Sequence, residues 1–294
     1  MAGELLTTDG QVEWRGTLLG PGTPFGTVKI TGLWDLPGQR GGNPPLPGFH
    51  GSYLGQRLST DRQVTWDFKT KTARADFAGA IATLRAITAP DENPGNEPLY
   101  VQLDGLAMMV NARVTGRAIP TDVHYSLGYS AGSIAWEAND PRVYGRVEKS
   151  TSTRLAVAAG GGLDFGGGGL DFGGGGLAFG AGVTGGQCFA LNAGHVPTWP
   201  RFEVDGPTLG PQILYGGRAL QFDPAWSLLA GQTLRIDTAP GRRTVEVNGV
   251  NVRQRLFTAQ WTALQGNENT RIQFLAGAYN AAAELRPYWR DAYQ

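Results

Sequence analysis

The chain has 294 residues, of which 41% are hydrophobic and only 17% charged, with 25 Lys+Arg balanced by 25 Asp+Glu. That length predicts two domains. A neutral balance with no basic run excludes nucleic-acid binding as a main function, because phosphate contacts need clustered Lys and Arg.

Glycine (45) and proline (18) punctuate the chain heavily, which predicts many short strands and turns over long helices. One cysteine, Cys188, allows no intrachain disulfide and no cysteine-based metal site. It lies in an apolar strand-like run, QCFAL, where a buried inert thiol is expected. The start, MAGELLTTDGQVEW, lacks the basic and apolar regions of a signal peptide, and no apolar run reaches transmembrane length. A soluble product made in the cytoplasm, with no membrane insertion, is the expectation.

In chain order, Val12, Trp14 and Leu18 alternate with polar residues and predict a strand, followed by a second at 27–31. Residues 37–48, PGQRGGNPPLPG, read as an irregular loop that cannot pair in a sheet. Residues 49–58 and 63–68 read as a strand pair turning at 59–62. One helix is predicted after Thr72, its cap, with Phe77, Ile81 and Leu84 on one face and Pro90 ending it. Strands follow at 99–103 and 106–114, turning at Asp104-Gly105, and extended runs at 122–128 and 133–138. Beyond residue 186, nine short strands are predicted between 187 and 288. Val247-Asn248-Gly249-Val250 specifies a two-residue hairpin. Such spacing predicts a β-sandwich of about a hundred residues.

Between the halves runs GGGLDFGGGGLDFGGGGLAFGAG, residues 160–182, in which a seven-residue unit repeats from Gly160, Gly167 and Gly174. A plain linker explains the glycine but not the regular placing of Leu163, Phe165, Leu170, Phe172, Leu177 and Phe179. Within each unit Leu and Phe sit two apart, so a short extended piece has one apolar face. These six residues are the candidate inter-subunit contacts, with the flanking domains or a second copy of the chain as the surfaces they dock on. No Lys-Ser/Thr follows the last glycine, which excludes a phosphate-cradling loop. Asp164 and Asp171 are too few and wrongly framed for calcium-binding repeats.

Catalytic signals are weak. Gly128-Tyr129-Ser130-Ala131-Gly132 matches the G-x-S-x-G elbow, but the run before it alternates like a half-exposed strand and too few residues follow for the required helix. His50, His124 and His195 are isolated, so no metal site is assigned. Carboxylates are scattered. The eight tryptophans read as core or interface anchors, with a sugar-binding face as the alternative. No catalytic, cofactor or metal residues are assigned.

Several marks together resemble the distal tail (Dit-like) protein family of long-tailed phages with flexible tails, including minor tail proteins of actinobacteriophages. They are the junction Trp136-Glu137-Ala138-Asn139-Asp140-Pro141-Arg142-Val143-Tyr144, the Leu/Phe units after it, and Leu191-Asn192-Ala193-Gly194 with Pro197-Thr198-Trp199-Pro200. To these add Leu234–Thr238, Val247-Asn248-Gly249, Trp261, Asn269 and the ending Tyr288-Trp289-Arg290-Asp291-Ala292-Tyr293. The family's Leu-x-Phe-Pro units have Gly here in place of Pro.

The resemblance implies a mostly β chain. An α+β N-terminal split β-barrel with one helix would cover residues 1–145, a glycine-rich connecting segment 146–186, and a galectin-like β-sandwich 187–294. It further implies a non-enzymatic virion protein at the tail tip, in a ring of six copies that joins the tail tube protein to the baseplate hub, with the tape measure protein as a further neighbour. The competing reading is a glycan-binding sandwich contacting host surface sugars.

Overall fold

The computed structural model describes residues 3–90, 95–156 and 186–294. It is mostly β and divides into two compact units, Met1–Val147 with Ala292–Gln294, and Glu148–Asp291. The repeat residues Leu163, Phe165, Leu170, Phe172, Leu177 and Phe179 lie outside the described residues.

The first unit contains β1 (Val12–Trp14), β2 (Thr17–Leu19), β3 (Phe25–Thr31), β4 (Arg62–Thr70), α1 (Arg74–Ile87), β5 (Glu97–Leu103), β6 (Leu106–Ala118), α2 (Val123–Ser126), β7 (Ala131–Ala138) and β8 (Val143–Gly145). The strands form an open antiparallel sheet in the order β2-β1-β5-β6-β7-β4-β3. The expected hairpin turns at Asp104-Gly105, where both residues have positive φ. β6 is the long member. Its first half pairs with β5 and, from Arg113 on, its second half pairs with β7, with a register shift between Val114 and Gly116. The bulge bends the strand so that one chain serves both halves of the sheet.

Phe77, Ile81 and Leu84 of α1 are buried, as their spacing predicts, and close the core over Trp14, Trp66, Phe68 and Trp136. Trp14 meets Trp136 edge-on at 5.9 Å. Two local expectations fail here. The residue at the head of α1 is Ala73, with no side-chain hydrogen bond, so Thr72 is not the cap. Residues 122–128 are not extended: Asp122 accepts hydrogen bonds from His124 N and Tyr125 N and caps the short helix α2.

The second unit is built on two larger sheets, with a further two-stranded pair, Thr208–Leu209 and Ser227–Leu228. One contains β9 (Lys149–Ser150), β10 (Thr153–Arg154), β12 (Arg201–Asp205), β15 (Thr233–Asp237), β16 (Val245–Val247), β17 (Val250–Asn251) and β20 (Glu284–Trp289). The other runs β11 (Gln187–Asn192), β19 (Glu268–Leu275), β13 (Gln212–Tyr215), β14 (Arg218–Phe222), β18 (Leu256–Ala259). The inward residues of both, among them Phe202, Tyr215, Phe222, Ile236 and Phe274, make one core. The hairpin at Asn248-Gly249 forms, with both residues at positive φ. β9 and β10 fall within the stretch assigned from sequence to the connecting segment; both pair with β20.

Cys188 is buried, and burial pushes its thiol up to about 11. Asn192 is wholly buried and ties the loop after β11. Its amide donates to the carbonyls of Val196, Leu264 and Gln265, and its oxygen accepts from Gly194 N.

Candidate interaction surface

Between β3 and β4 the first unit extends a two-stranded arm. Gln39–Arg40 pairs with Leu58–Ser59, Thr60 N donates to Gly38 O, and Gly55 N donates to Asn43 Oδ1. Further out, Tyr53 N donates to Pro44 O, Pro45 bridges Ser52, and Leu46 N donates to Gly51 O. This corrects the reading of 37–48 as a loop unable to pair. In an isolated two-stranded arm each limb has a free edge, so Pro44, Pro45 and Pro47 remove no ladder hydrogen bond that a partner strand needs. It also corrects the pairing expected between 49–58 and 63–68. Leu58–Ser59 turns back on the arm, while β4 pairs with β3 and β7.

The base of the arm is set by Arg62, a charged residue with 1% exposure. Its Nη1 donates to the carbonyls of Gly32, Leu33 and Asp35 at 2.5–2.9 Å, and its Nε to Pro141 O at 2.6 Å. Burial lowers the guanidinium's pKa from its ordinary value, and the nearby Asp35 and Asp140 oppose that shift. One side chain thus fixes the chain's exit from β3 and the junction after β7. Gly32 is required at this corner. Its φ is +85, and a Cβ there would stand 1.7 Å from Gln63 O. The C-terminal residue adds a contact at the root, Gln294 Nε2 to Ser59 Oγ.

The arm exposes what a lone soluble unit buries. Leu54 is 93% exposed and Phe49 81%, and Trp34, Leu36, Tyr53 and Leu58 are exposed beside them. Grouped apolar exposure of this kind marks an interaction surface.

Other sequence candidates are dispersed. Ser130 is buried, its hydroxyl faces Pro120 O at 3.5 Å, its N–H is accepted by Thr70 Oγ1, and a strand rather than a helix follows it. That geometry does not match a nucleophile elbow. His124 sits by Asp122 at 3.4 Å on the surface, and His50 lies on the exposed arm. Among the described residues no group of three His, Cys, Asp or Glu side chains gathers as a metal site. No helix is long and apolar enough to cross a membrane. Trp14, Trp66, Trp136 and Trp289 are buried and Trp226 and Trp261 pack against the second core, so most of the tryptophans serve the cores.

No known family model matches the sequence, and no curated protein does. The solved structures do match. The Dit protein of phage SPP1, described as a paradigm of the hub adsorption apparatus in phages that infect Gram-positive bacteria, superposes with a TM-score of 0.62. The match covers 97% of this chain and 99% of that one at 13% identity. The chain has the Dit fold. A chain of the phage P2 baseplate in its activated conformation is also similar, at 10% identity over 91% of each chain and a TM-score of 0.49.

Within the Dit fold, the residues that carry the sequence resemblance have identifiable jobs. At the junction, Asp140 accepts hydrogen bonds from Arg142 N and Tyr144 Oη, and burial together with Asp140 holds the Tyr144 hydroxyl above its usual pKa. β8 pairs with β6 on one side and with Ala292–Tyr293 on the other, which brings the end of the chain back to the first unit. In the second unit, Trp289 Nε1 donates to Leu191 O, and Asp291 accepts from Ala193 N and pairs with Lys149.

Sequence reasoning missed the arm as a paired element. No pattern signals it locally, because the apolar residues Tyr53, Leu54 and Leu58 lie on one limb and face Gly, Pro and polar residues on the other.

Proposed function

We propose that the chain is a structural protein of a phage tail tip, a distal tail protein whose copies close into a ring of six between the tail tube protein and the baseplate hub. The observation that carries this reading is the arm at 38–60. It is a rigidly rooted two-stranded projection that ends in exposed Phe49 and Leu54. A head-to-tail ring requires that each copy offer one surface to the next, and a projecting arm provides such a surface. Burying Phe49 and Leu54 against a neighbour is worth roughly 3–6 kcal/mol per copy in transfer free energy before ordering costs. The fold shared with the SPP1 Dit protein supports the same reading.

The six Leu and Phe side chains of the glycine repeat, Leu163 to Phe179, are a second proposed contact between copies. The tape measure protein is proposed as a further neighbour. The role is structural: the protein works by shape and contact, and no reaction is assigned to it.

Native mass spectrometry of the purified full chain tests the proposal. The wild type is expected to give a closed oligomer, and Phe49→Asp with Leu54→Asp a monomer of unchanged circular dichroism. A wild type that stays monomeric at high concentration, in the presence of its tail-tube partner as well, would overturn it.

A further inference from the structure

The two larger sheets of the second unit turn different faces to solvent. On one, Glu203 is bound to Arg201 and Arg235, and Arg286 to Asp205. On the other, β11, β19, β13 and β14 alternate, with Cys188, Ala190, Ile272, Phe274, Ile213 and Leu220 turned into the core. The residues between these point outward. They include no carboxylate, and their one charge is Arg271, which donates to Gln273 Oε1 at 3.3 Å and joins no ion pair among the described residues.

This uncharged face carries an apolar pair and a groove. Phe189 and Leu191, two apart on β11, are 52% and 48% exposed. Leu214, Ala219, Arg271 and Gln273 line a groove of about 370 Å³. The register joins the two features. Phe189 stands opposite Arg271 and Gln187 opposite Gln273, and Gln273, Leu214 and Ala219 follow one another across three strands. Opposite residues on neighbouring strands are about 5 Å apart, so the pair and the groove form one surface.

A segment of this chain has the complementary pattern. In the glycine repeat, Leu163 and Phe165, Leu170 and Phe172, and Leu177 and Phe179 are also two apart. An extended unit laid along β11 would meet Phe189 and Leu191 at their own spacing. The charges are of opposite sign: Asp164 and Asp171 are the only ones in residues 160–182, and Arg271 and Arg218 are the ones beside the groove. The repeat is also rooted at this sheet. Gly186, immediately before β11, donates to Arg154 O at 2.8 Å, and its carbonyl accepts from Phe274 N at 2.6 Å. Phe179 precedes Gly186 by seven residues, a reach of up to about 25 Å, and Phe189 lies three residues along β11, about 10 Å away.

We propose that the outer face of β11, β19, β13 and β14 is the dock for the Leu/Phe pairs of the repeat, with Phe189 and Leu191 as its apolar anchors and Arg271 as its charged one. That the docked pair comes from a neighbouring copy rests on the reading of the repeat as a contact between copies.

Photo-crosslinking of the full-length protein with Phe172→p-benzoylphenylalanine tests the dock. Crosslinks from position 172 are expected on residues 187–191, 212–221 and 269–275. Phe189→Asp and Arg271→Glu change exposed side chains that the core does not use, and each should lower the yield by about tenfold with circular dichroism unchanged. If Phe189→Asp alters the dichroism, Arg271→Glu carries the test. Crosslinks outside this face, no crosslinks, or a yield unchanged in Arg271→Glu would overturn the proposal. On a denaturing gel a crosslink between copies runs as a dimer and one within a copy as a monomer. Crosslinks on this face found only in the monomer band would keep the dock and overturn the contact between copies instead.

Discussion

The first unit groups Phe49, Tyr53, Leu54 and Leu58 on its arm, with Trp34 and Leu36 just before it, whereas the second spreads Phe189, Leu191, Leu229, Val250, Phe257 and Tyr279 over several segments. Among the described residues the first unit also exposes more large apolar side chains, 13 against 6, but what sets the arm apart is grouping. Scattered apolar residues are ordinary on soluble proteins, while a contiguous set on a projecting element calls for a partner. The polar surfaces differ in the opposite sense. The second unit's outer sheet face is crossed by ion pairs, with Glu203 bound to Arg201 and Arg235 at 3.2 Å and Arg286 to Asp205 at 2.6 Å. A face already satisfied by its own charges has little to offer a neighbouring copy. Within the proposed ring, that contrast makes the arm of the first unit the contact to test first.

Each unit also ties a loop with a buried polar side chain, and comparing two of these sharpens the contrast. Arg62 holds the base of the arm with a charge, while Asn192 holds a loop with a neutral amide. Arg62→Ala strands several buried carbonyls and removes a large buried side chain. It should destabilise the first unit by about 3–5 kcal/mol and loosen the arm. Chemical denaturation followed by near-ultraviolet dichroism measures this, and a loss under about 1 kcal/mol would show that the arm's root is held otherwise. Asn192→Ala should cost the second unit less, about 1–3 kcal/mol, because a neutral amide is lost. The same denaturation experiment reads it, and an effect equal to that of Arg62→Ala would remove the distinction between the two side chains.

Phe49→Asp and Leu54→Asp probe the other half of the contrast. Both side chains are exposed, so the unit's own stability should change by no more than about 0.5 kcal/mol, as thermal unfolding of dilute protein would show. A large drop would mean that the arm packs on its own unit.

The smallest expected effect concerns Cys188. Its folded pKa of about 11 lies above that of an exposed thiol, so the protonated form is favoured by folding. That contribution is present at neutral pH and is lost as pH rises toward 11. At pH 8 the thiolate is scarce, and alkylation should run about a hundredfold slower than for a free thiol. Rapid labelling of the native protein at that pH would contradict the burial.

What the sequence made legible was local. The hairpin at Asp104-Gly105, the helix face of Phe77, Ile81 and Leu84, and the Asn248-Gly249 turn are each written within a few consecutive residues. The failures depend on distant partners. The limbs at Gln39–Arg40 and Leu58–Ser59 are brought together by an arginine that also reaches Pro141, and three intervening prolines read locally as breakers. Ala292–Tyr293 pairs with β8 across the whole second unit, which no periodicity can signal. The short helix at Val123–Ser126 hides in an alternating pattern because Asp122, a capping side chain, decides it. The arm was not legible: residues 37–48 read as an irregular loop, and only the backbone pairing turns that segment into an arm.

The central claim is that the arm joins one copy to the next. An electron cryo-microscopy reconstruction of the tail tip containing this protein tests it most directly. The account predicts a closed ring in which residues 38–60 of each copy lie against its neighbour, with Phe49 and Leu54 buried there. An arm lying in solvent, or a single copy standing alone on the particle, would contradict it.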